Sequence, residues 1–216
     1  MWIRLFNAFT KITAWPLQKL IFRTRILYED KSVQSRRIRG AAMLISNHTS
    51  VFDYAIWLFV FWSRTLRVQM AEVLFRRKLL GLFLRQMGGI YVDRDGRDLS
   101  FVAKSVDILN AGGVVGIFPE GRLPRPGEER PLPFKTSAAY IALQTGCPII
   151  PVYTDGSYFC RKRASVIIGT PILPEEAVGQ TDEEKIVSLT GIFRARIVKL
   201  GEELHESLGN QRQKSE

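Results

Sequence analysis

The chain of 216 residues is long enough for one domain with a sizeable core, and its 46% hydrophobic content is ordinary for a globular protein. Its 31 Lys and Arg against 21 Asp and Glu give a formal charge of +10, which indicates anionic partners: nucleic acid, phospholipid headgroups or phosphorylated metabolites. The two cysteines, Cys147 and Cys160, are too few for a disulfide framework or a zinc site. They are predicted to be free thiols in a reducing compartment.

Residues 1–28 are predicted to form an amphipathic helical segment that anchors the protein to a membrane, as one helix or as two that meet near Pro16. Basic residues interrupt the segment throughout, so it lacks both a signal-peptide core and the ~20 apolar residues of a membrane span. Aromatic residues mixed with Lys and Arg are typical of a helix in the headgroup plane. The alternative is a helix packed on the core, but the bulky apolar residues exceed one core-facing stripe.

Residues 29–216 are predicted to form a single α/β domain with a largely parallel central sheet flanked by helices, because strand and helix patterns alternate along the chain. The predicted strands are AAMLIS (41–46), LRVQMA (66–71), GGIYVDR (88–94), GGVVGIFPEG (112–121), CPIIPVY (147–153) and ASVIIG (164–169). The predicted helices cover 50–63, 76–87, 98–110, 134–146 and 182–208. The Pro-rich stretch 119–133 is too long for an ordinary connection and is typical of a functional loop.

The stretch LISNHTSVFD, residues 44–53, places polar residues at the end of a buried strand. Active-site groups of α/β sheets gather at the carboxyl ends of strands. An Asp53 carboxylate on one ring nitrogen of His48 would fix the tautomer and stabilise the imidazolium that forms when the other nitrogen takes a proton, as a general base requires. The alternative is a capping box, in which Ser50 caps the helix and Asp53 reaches back to its amide. The two readings are compatible, and this decapeptide alone leaves both open.

Two further strands end in residues suited to an anionic substrate. GGIYVDR ends in Arg94, and GIFPEGRL carries Glu120, Gly121 and Arg122. Arginine binds phosphate through paired donors, although each of these arginines taken singly would be an ordinary surface charge. Together with His48 they predict a phosphate site beside a base.

Four blocks in this order resemble the glycerolipid acyltransferase family, of the lysophosphatidic-acid (1-acyl-sn-glycerol-3-phosphate) acyltransferase type. The family pattern is Asn-His-x-Ser-x-x-Asp, a Gly-rich strand ending in Arg, Phe-Pro-Glu-Gly, and a Pro-containing Val/Ile strand. The matching stretches here are NHTSVFD, GGIYVDR, FPEGR and CPIIPVY. The resemblance covers roughly residues 40–170, and four blocks in order are far more specific than one.

The resemblance implies a role for each matching residue. His48 would be the general base on the acceptor hydroxyl and Asp53 would orient it, while Arg94 would bind the acceptor phosphate. Glu120 and Gly121 would shape the acceptor site with help from Arg122. The substrate-binding residues predicted in all are Asn47, Ser50, Arg94, Glu120, Gly121, Arg122 and Lys135.

Two positions depart from the family pattern. The third block often reads Glu-Gly-Thr-Arg, whereas Arg122 follows Gly121 directly here. The family often has a Lys two residues before a Glu, and Met70 takes that place before Glu72. Phosphate binding is therefore predicted to depend on Arg94, Arg122 and Lys135. The sequence indicates the type of reaction more firmly than the identity of the acceptor molecule.

The implied reaction moves a fatty acyl group from acyl-CoA or acyl carrier protein to the free hydroxyl of lysophosphatidic acid, with no metal or further cofactor. No G-x-S-x-G elbow is present, which favours direct transfer over an acyl-enzyme, with Ser50 as the alternative nucleophile. The expected partners are the thioester donor, the lysophospholipid and an anionic membrane surface, and the expected location is the cytoplasmic face of the cell membrane. The apolar helix from Tyr54 to Trp62 would line an acyl tunnel or, as the favoured interpretation, belong to the core.

Three other functions compete with this reading. The first is an acyltransferase whose acceptor is glycerol-3-phosphate or another lysophospholipid. The second is a non-catalytic protein that binds anionic membranes, which the intact His48 and Asp53 disfavour. The third is a nucleic-acid-binding protein. It is disfavoured because the basic residues are scattered and no RNP, KH or zinc-finger signature is present, so no nucleic-acid partner is expected.

Overall fold

The computed structural model describes residues 1–93, 98–159 and 163–213, with side chains described as far as residue 210. Its strands are β1 Arg25–Tyr28, β2 Ala42–Ser46, β3 Leu66–Ala71, β4 Ile90–Val92, β5 Val114–Ile117, β6 Ile149–Thr154 and β7 Ser165–Ile168. Its helices are α1 Trp2–Ile21, α2 Asp53–Val60, α3 Glu72–Arg76, α4 Lys78–Met87, α5 Ser100–Asn110, α6 Ser137–Thr145 and α7 Asp182–Gln213.

The strands form one sheet in the order β1-β7-β6-β2-β5-β3-β4. All neighbours pair in parallel except β6 and β7, which are antiparallel. Because β1 follows the direction of β7, the starts of β1 and β7 lie at the same edge as the ends of β2, β5 and β6. We call this the His48 edge, since His48 follows the end of β2.

Helices cover both faces of the sheet, which explains why its central strands are continuous apolar runs. Leu44 of β2 points into a core shared with Trp57 of α2. Its neighbour Met43 points into the opposite core, with Ile141 of α6 and Phe193 of α7. The structure therefore confirms the predicted single α/β domain with a mostly parallel sheet between helices.

The structure differs from the predicted elements in several places. Residues 25–28, assigned to the N-terminal helical segment, form β1 instead, because their backbone pairs with β7 at the edge of the sheet. Of the two predicted alternatives, one helix or two, the structure has one, because α1 continues through Pro16, which is exposed. The helix α2 begins at Asp53 rather than at residue 50, and its Trp57 lies in the core, in keeping with the core interpretation of this helix. The chain also forms α3, which the sequence pattern did not indicate.

The helix α1 packs on the protein through polar side chains. Asn7 donates to the Met87 carbonyl at 3.0 Å, and Gln18 donates to Thr24 Oγ1 at 3.1 Å. The buried Lys11 ammonium donates to the carbonyls of Trp62 and Arg64, and this burial lowers the pKa of Lys11 to about 8. Each of these three buried side chains thus donates to a partner within the protein, whereas Asn7 Oδ1 is buried without a partner.

The opposite side of α1 is apolar and exposed. Its members recur at helical spacing, and Phe9 and Ile12 have 64% and 65% of their surface accessible. The other exposed apolar residues of this helix are Trp2, Leu5, Trp15, Leu17 and Leu20. Among the residues the structure describes, no helix is both long and apolar enough to cross a membrane. A surface helix of a globular protein normally buries its apolar side and exposes its polar side. In α1 the polar side packs on the protein and the apolar side is exposed.

Candidate active site

His48 and Asp53 meet at the His48 edge. The Asp53 side chain is fully buried, and its Oδ2 lies 2.8 Å from Nδ1 of His48, whose own side chain is 16% accessible. Because an ionised carboxylate only accepts hydrogen bonds, this contact places the imidazole proton on Nδ1 and leaves Nε2 as the basic nitrogen. The pair has the geometry of an oriented general base.

Asp53 also organises the turn that leads into α2. Its Oδ2 accepts from the amides of Thr49 and Ser50 at 2.8 and 3.0 Å, while Oδ1 accepts from Thr49 Oγ1 at 2.8 Å and from the Tyr158 hydroxyl at 2.6 Å. The capping-box hypothesis correctly predicts the contact between Asp53 and the Ser50 amide. It is wrong about the cap, because Ser50 is not the N-cap residue of α2. The cap residue is Phe52, and Ser50 Oγ accepts from its amide at 3.2 Å. One carboxylate thus serves both the turn and the histidine.

Aromatic rings fix the His48 imidazole from one side. Phe118 stacks on it with ring centroids 4.3 Å apart and an interplanar angle of 18°. Trp57 in turn stacks on Phe118 at 4.5 Å and 23°. Packing and the Asp53 contact together leave the imidazole little freedom to rotate.

Glu120 links three segments of the site. Its Oε1 accepts from the His48 amide at 2.8 Å, and its Oε2 accepts from the Leu132 amide at 2.9 Å. The residue is 5% exposed, and this burial raises the pKa of its carboxyl above the ordinary value. Glu120 therefore fixes the backbone at His48 against both ends of the 119–133 loop.

Asn47 and Ser50, both predicted to bind substrate, contact the protein itself in this structure. The Asn47 amide donates to the Thr154 carbonyl at 2.9 Å and accepts from the Thr154 amide at 3.0 Å, which joins the ends of β2 and β6. Ser50 contributes its hydroxyl to the turn before α2, as described above. Their observed contacts position His48 and Asp53.

The predicted phosphate-binding residues lie in different settings. Arg122 makes a two-pronged ion pair with Glu128 at 2.7 and 2.8 Å, and this guanidinium lowers the pKa of Glu128 to about 2. Lys135 packs against Gly121, whose φ of +70° favours glycine, and a Cβ added there would lie 2.7 Å from Lys135 Cε. Arg94 lies outside the described residues.

One departure from the family pattern has a structural explanation. Met70 stands where the family often has a lysine, and its side chain is buried in the core with α2. That position supplies no cation to the site. A phosphate bound here would depend on the arginines and on Lys135.

Two contacts of the site escaped the sequence pattern. Tyr158 follows the end of β6, and its hydroxyl reaches Asp53 from 105 positions along the chain. Phe118 belongs to the FPEG block, but nothing in the sequence indicates that its ring faces His48. The signal for Tyr158 would have been its place just beyond a strand that ends at the His48 edge.

The family model described as Acyltransferase matches residues 25–155 of this chain. The chain belongs to the acyltransferase family. The match runs from β1 to just past β6, so it includes both His48 and Glu120. It confirms the family that the four sequence blocks indicated.

Curated acyltransferases from bacteria and from humans are similar to this chain. The 1-acyl-sn-glycerol-3-phosphate acyltransferases of Bacillus subtilis and Borreliella burgdorferi are 29% and 28% identical over 62% and 74% of this chain. The human 1-acyl-sn-glycerol-3-phosphate acyltransferase beta is 30% identical over 68% of it. The chain spans 67% and 66% of the two bacterial relatives and 54% of the human one.

A solved acyltransferase structure shares the fold. It is the 1-acyl-sn-glycerophosphate acyltransferase PlsC from Thermotoga maritima, with a TM-score of 0.62 and 20% sequence identity. The alignment covers 92% of this chain and 79% of that one. This likeness supports the α/β architecture described above.

Proposed function

We propose that this protein transfers a fatty acyl group from acyl-CoA or acyl carrier protein to the free hydroxyl of lysophosphatidic acid, giving phosphatidic acid. The observation that carries the proposal is the contact of 2.8 Å between His48 Nδ1 and the buried Asp53 carboxylate. The names of the relatives support this acceptor, since each contains 1-acyl-sn-glycerol-3-phosphate acyltransferase.

The proposed reaction is a direct acyl transfer. His48 Nε2 takes the proton of the acceptor hydroxyl while the oxygen attacks the thioester carbonyl, and Asp53 stabilises the imidazolium. The tetrahedral intermediate then collapses, the carbon–sulfur bond breaks, and the departing thiolate takes the proton from His48. The new ester and a free thiol are the products, and His48 returns to its starting state.

The acceptor phosphate is proposed to bind beside the 119–133 loop. Lys135 lies against Gly121 there, next to the carboxylate that holds the His48 backbone. Arg122 would exchange its ion pair with Glu128 for the substrate phosphate, since both anions suit its paired donors. Arg94 would complete the set, as the family resemblance implies.

The apolar side of α1 is proposed to lie in the anionic cytoplasmic leaflet of the cell membrane. The neighbouring helix α4 extends this surface, because Leu79 and Leu82 are exposed and the Phe83 ring contacts Phe6 of α1. An apolar helix face that the protein leaves uncovered suits insertion among headgroups and upper acyl chains. The arrangement would bring the active site to a lipid acceptor that stays in the bilayer.

The proposed function is tested with purified protein, a radiolabelled acyl donor and lysophosphatidic acid in mixed micelles. Acyl-CoA and acyl carrier protein are tried in parallel, and glycerol-3-phosphate and other lysophospholipids serve as competing acceptors. The proposal expects labelled phosphatidic acid as the main product with at least one donor. Transfer to another acceptor at a higher kcat/KM, or no transfer with either donor, would contradict it.

Tyr158→Phe is expected to lower kcat about tenfold while the KM for the acceptor stays within about twofold. The variant removes the 2.6 Å hydrogen bond to Asp53 Oδ1, and hydrogen bonds to charged groups contribute roughly 1.5–3 kcal/mol. Burial beside Asp53 raises the pKa of Tyr158 well above its usual range, so the hydroxyl stays a donor. We therefore assign Tyr158 as a positioning residue for Asp53.

The matched control is Tyr140→Phe on α6, which removes the hydroxyl of an exposed tyrosine. Initial rates are measured per mole of folded protein, with folding followed by circular dichroism. If Tyr158→Phe only lowers the melting temperature and leaves kcat unchanged, its role is structural and the positioning assignment is wrong.

A further inference from the structure

A cavity of about 640 Å³ lies between α1, α2 and β1, apart from the contacts of His48 and Asp53. Four cationic side chains line it, namely Lys19, Arg23, Arg36 and Arg163. Among the described residues that line the cavity, none is acidic. Cations gathered without counter-charges repel one another, and a bound anion relieves that repulsion.

The four cations come from separate parts of the chain. Lys19 lies in the last turns of α1, Arg23 in the connection to β1, Arg36 between β1 and β2, and Arg163 just before β7. Arg163 Nε donates to the Arg23 carbonyl at 3.0 Å, which joins two of these segments. Arg23 has a φ of +46°, an uncommon conformation for a residue other than glycine. The fold therefore brings Arg163 beside three cations from the first 36 residues of the chain.

The remaining walls of the cavity are largely aromatic and apolar. Trp15, Phe59 and Trp62 line it, and Trp15 and Trp62 are partly open to solvent. Trp15 and Lys19 are one helical turn apart on α1, beside its exposed apolar side, and the Lys19 ammonium lies 4.2 Å from the Trp15 ring centroid. The volume lies within the range of small-molecule sites and far exceeds what a phosphate ion alone would fill. The lining suits a phosphate joined to an apolar body.

The cavity is separate from the candidate active site. Its strand, β1, is three strand spacings from β2 in the sheet order, roughly 14 Å. Phe22 is the residue before Arg23. Its ring packs against Phe52, Tyr158 and Phe159, which lie around Asp53. An anion in the cavity would therefore not contact His48 or Asp53, although aromatic side chains link the two places.

We propose that this cavity binds the phosphate headgroup of an anionic phospholipid of the bilayer, as a docking site distinct from the acceptor site. The inference rests on the proposed insertion of α1 into the membrane, which would place Trp15 and Lys19 at headgroup depth. The cations bind the phosphate, the aromatic walls contact the glycerol region, and the acyl chains continue along the apolar side of α1. The protein would thus be seated on the membrane by one bound lipid in addition to general charge attraction.

The test uses soluble dihexanoyl phosphatidylglycerol below its micelle concentration, with the full chain and no acyl donor. Binding is followed by tryptophan fluorescence, because Trp15 and Trp62 line the cavity. Dihexanoyl phosphatidylcholine and inorganic phosphate are titrated in parallel. Saturable binding of phosphatidylglycerol, at least tenfold tighter than either comparison ligand, is expected. Trp62→Phe is expected to remove a large part of the fluorescence change.

The variant that decides the site is Lys19→Gln with Arg36→Gln, which leaves the Arg163 hydrogen bond in place. Its affinity for phosphatidylglycerol is expected to fall about tenfold or more. The control, Arg77→Gln with Lys78→Gln, also removes one arginine and one lysine, both exposed but outside the cavity, and is expected to stay within about twofold.

Four outcomes would overturn the proposal: no saturable binding, equal effects of the two variant pairs, phosphatidylcholine binding as tightly as phosphatidylglycerol, or inorganic phosphate binding as tightly as the lipid, which would indicate a free-phosphate site. The result is independent of catalysis, because no donor is present. Acyl transfer to a soluble short-chain acceptor is expected to be unchanged in the cavity variant. Failure of the lipid site and failure of the proposed acyltransferase reaction are therefore distinguishable.

Discussion

Asp53→Asn is expected to lower acyl transfer by about a hundredfold or more. The carboxylate oxygen at 2.8 Å from His48 Nδ1 also accepts from two backbone amides, and an Asn side chain has only one oxygen to offer to these donors. The amide would also lack the negative charge that stabilises the imidazolium. The loss has the size expected for disabling a general base. Initial rates with acyl-CoA and lysophosphatidic acid, per mole of folded protein, measure it.

Asp155→Asn is the matched control for this change. Asp155 accepts hydrogen bonds from the amides of Ser157 and Ser165, each at 3.0 Å. Like Asp53, it therefore accepts from two backbone amides near the same edge of the sheet, but it does not contact His48. The variant is expected to stay folded and to keep transfer within about fivefold of wild type, because both amides bond the same oxygen, Oδ1, and an Asn side chain keeps one such acceptor. Equal losses of transfer in both variants would mean that Asp53 acts only on structure.

Phe9→Gln combined with Ile12→Gln is expected to weaken binding to anionic vesicles by about a hundredfold or more. Each bulky apolar side chain contributes roughly 1.5–3 kcal/mol when it moves from water into an apolar setting. Both residues are mostly exposed on α1, so their replacement leaves the packing of the protein unchanged. Co-sedimentation with vesicles of phosphatidylcholine and phosphatidylglycerol measures the binding, with salt varied to separate the electrostatic part.

The control for the membrane surface is Val178→Gln with Val187→Gln. These residues are also exposed and apolar, but Val187 lies on α7, which covers the other face of the sheet. This pair is expected to bind vesicles as wild type does. If the α1 variant binds equally well, or if both pairs lose binding to the same extent, α1 is not the membrane surface.

Much of the fold can be predicted from the sequence, because most strands and helices show local patterns of apolar and polar residues. The buried strand β2 is a continuous apolar run, and the spacing from His48 to Asp53 lies within one strand-to-helix turn. The sequence does not indicate the strand β1, because four residues are too few to show alternation. Its place in the sheet depends on pairing with β7, about 140 positions later.

The site itself was only partly predictable, for a related reason. Residue types identify Glu120 and Arg122 but do not indicate which groups these two side chains contact. Glu120 holds the His48 and Leu132 amides, and Arg122 pairs with Glu128. Likewise, helical spacing predicted an amphipathic α1 without indicating that its polar side would face the protein. Contacts between distant segments leave little trace in one sequence.

His48 is the proposed base of an acyl transfer to lysophosphatidic acid. Its most direct test compares wild type with His48→Ala, measuring radiolabelled phosphatidic acid formed from acyl-CoA or acyl carrier protein in mixed micelles. We expect wild type to form the product and His48→Ala, folded and still bound to anionic vesicles, to form it at least about a hundredfold more slowly. Equal rates for the two proteins would exclude His48 as the base, because it would then belong only to the turn before α2.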